Sequence, residues 1–213
     1  MTPLPRALLC LAFDQPIPAN RHGVLIPAAR IDETDIRGAI VVVETDSDIA
    51  TLQNALTAGA AMIALNGCRT GADLQRLATL LSVTEAEIGH PEGSTPILAM
   101  TDGILPAPAA RESLAGKSRR LAGLAWNQRA LALTLCATRT RTEPGEWTAP
   151  FAAARAATLL TAAAAGVPAY DSFPDMNNDA FVPICNQSRA DGFFGSFAIR
   201  AAQMEAVETL YAG

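Results

Sequence analysis

Short apolar runs alternate with helical patterns along the 213-residue chain. Residues 39–44, 61–65, 96–100 and 121–126 are each dominated by Ala, Ile, Leu, Met or Val. Helical spacing follows two of them: one helix is predicted from Asp46 or Ser47 to Ala58, and another over 72–81, with leucines on one face. Continuous apolar strands that each lead into a helix are typical of parallel α/β architecture.

The same pattern extends over the rest of the chain. Further strands are predicted at 6–13, 23–26, 167–170 and 196–199. Further helices are predicted from Pro106, over 128–136, 148–165 and 203–211, and over about ten residues after Asp179, with loops at 82–94, 138–146 and 171–179. About eight strands with mostly alternating helices favour one compact TIM (β/α)8 barrel domain spanning residues 1–213.

The first two predicted strands are joined by fewer residues than a parallel crossover usually needs. The N-terminal end is therefore predicted to be either an antiparallel pair or a barrel end that has lost its first helix.

Composition narrows the functional classes. Half the residues are hydrophobic and only 17% are charged, which predicts a large core and a surface partly covered in a homo-oligomer or hetero-complex. A net charge of −5 without any basic run argues against nucleic acid or an anionic membrane as a partner. The four cysteines form no CxxC pair, which predicts free thiols and a cytoplasmic location.

Functional side chains of a parallel barrel lie where strands end and loops begin. Five polar residues occupy such positions here: Glu44, Asn66, Asp102, Asn127 and Arg200. Asp102 and Glu44 are the candidate catalytic residues, and the other three are candidates for substrate binding.

Each of the more distinctive candidates also has a plainer interpretation. Asp102 precedes Gly103 and could simply form a turn, as could Asn66 with Gly67. Glu44 could be a solvated carboxylate at a strand end. Arg200 could receive an anionic ligand or pair with Glu205.

Several segments, in order, resemble the citrate lyase β-subunit group of the HpcH/HpaI aldolase superfamily. The matching pieces are 52–81 (with RTGADL), 95–108 (with TPILAM), 120–137 (with RLAGLAW), 154–171 and 191–207 (with GFFGSFAI). They span roughly the last three-quarters of the chain. The resemblance implies an oligomeric TIM barrel in which Mg²⁺ orients a keto acid, hydroxy acid or acyl-CoA for carbon–carbon bond cleavage or formation.

Most functional residues implied by the resemblance are absent from the matching positions. The first metal ligand, a Glu, falls on Met100–Thr101, which leaves Asp102 as a weak candidate ligand, and the second falls on 126–130, which holds no carboxylate. The substrate-binding Arg falls on 41–44 and is missing. The C-terminal lid of the group would follow Tyr211, so no such lid is expected.

Mg²⁺ needs at least one or two carboxylates to hold it. The sequence therefore predicts impaired Mg²⁺-dependent chemistry and leaves two hypotheses. The first is a divergent carbon–carbon lyase with weak or altered activity. The second is a non-catalytic barrel that acts as a subunit or scaffold in an oligomeric complex.

Overall fold

The fold is a closed barrel of eight parallel strands with helices on its outside. A computed structural model describes residues 3–10, 17–33, 35–143, 146–172 and 178–212. The strands are β1 (Ala7–Cys10), β2 (Val24–Pro27), β3 (Ile40–Val43), β4 (Met62–Leu65), β5 (Ile97–Thr101), β6 (Leu121–Trp126), β7 (Ala169–Asp171) and β8 (Gly195–Ala198). Each strand pairs in parallel with the next, and β8 pairs with β1 to close the barrel. The predicted TIM-type barrel is confirmed.

Six α-helices are present in the described residues. They are α1 (Ile49–Thr57), α2 (Gly71–Ile88), α3 (Gln128–Thr134), α4 (Ala149–Ala165), α5 (Asn178–Ala190) and α6 (Ala201–Tyr211). Among the described residues, no helix is both long and apolar enough to span a bilayer.

The parallel pairing of β1 with β2 decides between the two alternatives for the N-terminal end. It excludes the antiparallel pair and is the arrangement expected of a reduced barrel end. The strand predicted over 6–13 is observed as β1, and residues 11–13 lie outside the described part of the chain. A short 3-10 helix, Ala28–Glu33, follows β2.

The polar loop predicted over 82–94 is wrong in its first half, because α2 continues to Ile88. Tertiary contacts override the polar composition of this segment. The carboxylate of Glu85 is fully buried and forms an ion pair with Arg120, which lies just before β6. The helix therefore buries two of the polar residues that suggested a loop, Thr84 and Glu85.

The helix predicted from Pro106 is also wrong, because residues 102–120 form turns. This segment packs against the start of α2, where the Gly71 amide donates to the Glu112 carbonyl oxygen at 2.7 Å. A Cβ atom on Gly71 would lie 2.6 Å from the Ser113 carbonyl oxygen, so only glycine permits this approach. Within the segment, isolated turn hydrogen bonds such as that from the Ala110 amide to the Ala107 carbonyl oxygen at 2.8 Å take the place of a continuous helical ladder.

Side chains alternate between the barrel interior and the helix layer. The interior is filled by an apolar cluster to which all eight strands contribute: Leu8, Leu25, Ile40, Met62, Ala64, Leu98, Met100, Ala125, Tyr170 and Phe197. A larger cluster lies between strands and helices and includes Leu52, Leu74 and Val207. The interior is thus a packed core, and the two ends of the barrel are separate surfaces.

Candidate functional site

Four of the five predicted site residues follow consecutive strands at one rim of the barrel. Glu44, Asn66, Asp102 and Asn127 come just after β3, β4, β5 and β6. The strands are parallel, so these residues lie at the same end of the barrel, which we call the C-terminal mouth. Arg200 follows β8 at the same end.

Glu44 and Asn66 are in direct contact. The Asn66 Nδ2 atom lies 3.0 Å from each carboxylate oxygen of Glu44. The Glu44 amide donates to the Ser47 hydroxyl oxygen at 3.0 Å. Glu44 is exposed, so this pair forms a polar, water-accessible part of the rim.

Asp102 is buried and its carboxylate is already well satisfied. Its Oδ2 atom accepts from the Arg69 Nε at 3.1 Å, from the Arg69 Nη2 and from the Thr134 hydroxyl at 3.3 Å. Its Oδ1 atom accepts from the Ile104 amide at 3.0 Å, which gives the turn expected of an Asp–Gly pair. No hydrogen bond joins Asp102 to Glu44 among the described residues, so the two candidate catalytic groups are held in separate networks.

Arg69 is the residue that sequence reasoning missed. It lies within the RTGADL segment, between the end of β4 and the start of α2. Its hydrogen bond and ion pair with Asp102 raise the pKa of the guanidinium above its usual range. Its side chain is nevertheless 47% exposed, whereas that of Asp102 is 5% exposed. Its position shortly after the end of β4 could have marked Arg69 as a candidate, since the C-terminal mouth is formed by the segments that follow the strands.

Asn127 has a structural task at the mouth. Its Oδ1 atom accepts from the Arg129 and Ala130 amides at 3.1 and 3.2 Å, which caps the N-terminus of α3. This capping uses the side-chain oxygen and leaves the Nδ2 group as the atom that could meet a ligand. Arg200 precedes α6 and is exposed, and the described residues contain no ion pair between Arg200 and Glu205.

The donor set at the mouth does not fit a Mg²⁺ ion. Mg²⁺ prefers near-octahedral oxygen coordination with one or two carboxylates. Of the two carboxylates predicted at the mouth, Asp102 is the buried one, and its Oδ2 atom is held by the Arg69 guanidinium. Within the described ranges, no group of three or more His, Cys, Asp or Glu side chains could hold a metal ion. A metal at Asp102 would have to displace a cation that is already in place.

Comparisons with known proteins place the fold. No protein-family model and no curated protein sequence matches the chain. Among solved structures, the citrate lyase β subunit from M. tuberculosis, complexed with oxaloacetate and magnesium, matches with a TM-score of 0.70 at 16% identity, over 89% of this chain and 86% of that one.

Two further structures match in the same way. RipC from Yersinia pestis gives a TM-score of 0.67 at 21% identity, over 88% of this chain and 87% of that one. A citrate lyase from Burkholderia xenovorans gives 0.66 at 15% identity, over 95% of this chain and 68% of that one. The resemblance that the sequence motifs indicated is thus confirmed at the level of the fold: this chain and these structures share the same barrel fold.

Proposed function

We propose that the chain is a divergent member of the citrate lyase β-subunit group that binds a small 2-keto or 2-hydroxy acid at the C-terminal mouth. Its reaction class is carbon–carbon bond cleavage or formation, at a reduced level and without a Mg²⁺ ion held in the usual way. The ordered sequence motifs and the fold support this proposal. The similar M. tuberculosis structures were solved with magnesium and oxaloacetate, acetoacetate or pyruvate.

The observation that carries the proposal is the Arg69–Asp102 pair. Asp102 and Thr134 hold one edge of the Arg69 guanidinium, while nearly half of the side chain stays exposed at the mouth. A guanidinium keeps its charge at all physiological pH values and donates its hydrogen bonds in fixed directions. The Nε and Nη2 atoms of Arg69 already donate to Asp102 and Thr134, so Nη1 is the group left to donate to a substrate carboxylate or to a developing negative oxygen.

A specific observation also favours the second hypothesis, a non-catalytic subunit. Ile104, Leu133 and Leu135 are 45%, 80% and 44% exposed. Leu133 and Leu135 flank Thr134 in the chain, Ile104 lies two residues after Asp102, and the Thr134 hydroxyl donates to Asp102, so we group the three side chains as an apolar patch beside the mouth. Exposed apolar patches of this kind mark protein interfaces. In this alternative the barrel binds another copy of itself or a different subunit through this rim.

The free thiols of the chain support a proposal about its cellular location. Cys10, Cys68, Cys136 and Cys185 are all free. Free thiols are typical of a reducing compartment, and we propose that the protein is cytoplasmic.

Isothermal titration calorimetry tests the proposal. We expect no heat from Mg²⁺ alone, and oxaloacetate binding that Mg²⁺ does not strengthen. Arg69→Ala should weaken oxaloacetate binding about tenfold or more, because a charge-assisted hydrogen bond contributes roughly 1.5–3 kcal/mol. Arg69→Lys keeps the charge but loses the planar guanidinium, so its affinity for oxaloacetate should lie between those of the wild type and Arg69→Ala.

Arg189→Ala is the matched control, since Arg189 is an exposed arginine near the end of α5, away from the mouth. Thermal melting of all three variants verifies that each is folded. Tight Mg²⁺ binding strengthened by oxaloacetate would contradict the proposal and restore a metal-dependent lyase. Absence of oxaloacetate binding in the folded wild-type protein would favour the subunit hypothesis, which sedimentation velocity then tests.

A further inference from the structure

We propose that the opposite end of the barrel carries a second binding site, for an organic anion with an apolar body. A cavity of about 820 Å³ opens at the N-terminal ends of the strands. The residues around it come from the segments that precede strands: Leu4 and Pro5 before β1, His22 and Gly23 before β2, Gly38 before β3, Ala61 before β4, Pro96 before β5, and Arg119 and Arg120 before β6. We call this cavity the N-terminal pocket.

The floor of the N-terminal pocket is apolar. Ile40 and Met62 belong to the cluster that fills the barrel, and Leu4 and Ala122 pack against that cluster. A ligand that reaches the floor would therefore contact aliphatic side chains at the lower layer of the barrel core. Such contact favours an apolar molecular body through the hydrophobic effect.

The wall of the N-terminal pocket is basic. Arg21, His22, Arg37 and Arg119 line it together with Arg120, and the described lining residues include neither Asp nor Glu. This concentration of positive charge occurs in a chain whose net charge is −5. Cationic walls around a cleft attract anions and raise their local concentration.

Three of these arginines keep charge available for a ligand. Arg120 is neutralised by the buried carboxylate of Glu85 and serves the structure. Arg37 is paired with Asp35 at 3.9 Å, but their side chains are 85% and 60% exposed, so water weakens the pair. Among the described residues, Arg119 takes part in no ion pair.

Arg21 has a hydrogen-bond donor that a bound anion would satisfy. Its Nη1 atom donates to the Ala19 carbonyl oxygen at 3.1 Å, while its Nε atom is buried without a hydrogen-bond acceptor in the described part of the chain. A buried donor without an acceptor is unfavourable, because it has lost its hydrogen bonds to water and gained none in the protein. An anionic oxygen of a ligand in the pocket would satisfy it.

The size of the cavity sets the ligand class. Sites for small organic molecules have volumes of roughly 300–1,000 Å³, and their walls are mainly apolar with a few polar groups that fix orientation. The N-terminal pocket matches this description and adds a cationic wall. The expected ligand is a carboxylate, phosphate or sulfonate head group on an aliphatic or aromatic body. The filled barrel core separates this site from the C-terminal mouth.

Titration with 8-anilinonaphthalene-1-sulfonate, an aromatic sulfonate whose fluorescence rises on binding, tests the proposal on the full chain. We expect saturable binding of one molecule per chain. Decanoate should displace the dye. Decanol and inorganic phosphate at equal concentration should displace it at least tenfold less effectively, because decanol has the apolar body without an anionic group and phosphate has the charge without an apolar body. The double variant Arg37→Gln and Arg119→Gln should raise the Kd of the dye tenfold or more.

Arg111→Gln with Arg139→Gln is the matched control, because both arginines are exposed, lie outside the pocket lining and change the net charge equally. A second control, Leu133→Ser, removes the most exposed leucine of the apolar patch beside the mouth and should leave the dye bound. Equal affinity in the two arginine double variants would overturn the proposal. Loss of the dye in Leu133→Ser would do so as well, by placing the dye at the other end of the barrel.

Discussion

Replacing Glu85 with alanine is expected to lower the free energy of unfolding by about 3–5 kcal/mol, the usual effect of breaking a buried ion pair from one side. The Glu85 carboxylate accepts from Arg120 Nη1 and Nη2 at 2.8 and 2.7 Å, and from the Gly93 and Thr95 amides at 2.7 and 2.8 Å. Alanine would leave the Arg120 guanidinium, whose side chain is 7% exposed, without a counter-ion. Urea denaturation followed by circular dichroism measures the difference.

Two further variants separate this effect from general damage to α2. Glu87→Ala removes an exposed carboxylate from the same helix and should change the free energy of unfolding by no more than about 0.5 kcal/mol. Glu85→Leu combined with Arg120→Met removes both charges and should recover part of the stability. If Glu85→Ala were no less stable than Glu87→Ala, the assigned role of the pair would be incorrect.

The Glu85 carboxylate should also make the free energy of unfolding depend on pH. Burial raises the pKa of Glu85, but the hydrogen bonds from Arg120, Thr95 and Gly93 outweigh it and lower the pKa from an ordinary 4.5 to about 2. A carboxyl group whose pKa is lower in the folded than in the unfolded protein stabilises the fold at pH values above its unfolded-state pKa. That stabilisation is lost as the pH falls toward the folded-state pKa. The stability gap between wild type and Glu85→Ala should therefore narrow between pH 4.5 and pH 2. A constant gap over this range would contradict the assignment.

Replacing Trp126 with alanine is expected to have a similarly large effect, about 3–5 kcal/mol, because it empties a packed aromatic site. Trp126 is fully buried and lies edge-on to Trp147, with ring centroids 5.1 Å apart. Its indole N–H donates to the Asp102 carbonyl oxygen at 3.2 Å, so it also supports the turn that holds the Asp102 carboxylate. Chemical denaturation gives the loss of stability, and near-ultraviolet circular dichroism reports the aromatic packing.

Trp126→Phe is the control for the hydrogen bond, since it keeps most of the ring volume and removes the N–H donor. It should lower the free energy of unfolding by considerably less than alanine and weaken oxaloacetate binding at the mouth. A stability of Trp126→Ala within about 1 kcal/mol of wild type would show that the surrounding residues collapse to fill the space.

The repeating part of the fold could be predicted because strand and helix signals there agree with the final contacts. The apolar runs that became β3 to β6 are buried on both sides, so composition alone marks them as strands of a parallel sheet. Residues 82–88 and 106–120 could not be predicted in the same way. Their structures depend on Glu85 meeting Arg120 and on Gly71 meeting Glu112, which are contacts between distant parts of the chain.

The candidate site shows a similar division. The rule that functional residues follow barrel strands placed Glu44, Asn66, Asp102 and Asn127 at one rim, as the parallel strand order requires. The pattern could not show that Glu44 contacts Asn66 while Asp102 is held by Arg69. Which side chains pair at the mouth depends on the direction in which the chain leaves β4, and hydrophobic periodicity does not predict that direction.

The pairing of Arg69 with Asp102 also determines what it would take to build a divalent metal site at this mouth. Such a site would need at least two changes, the removal of Arg69 and the addition of a second carboxylate near residue 127. Losing Arg69 first would leave a buried carboxylate without its cation, and gaining the carboxylate first would place it beside an arginine that competes with the metal. Neither change alone is therefore enough to make a metal site, and the two would have to be introduced together.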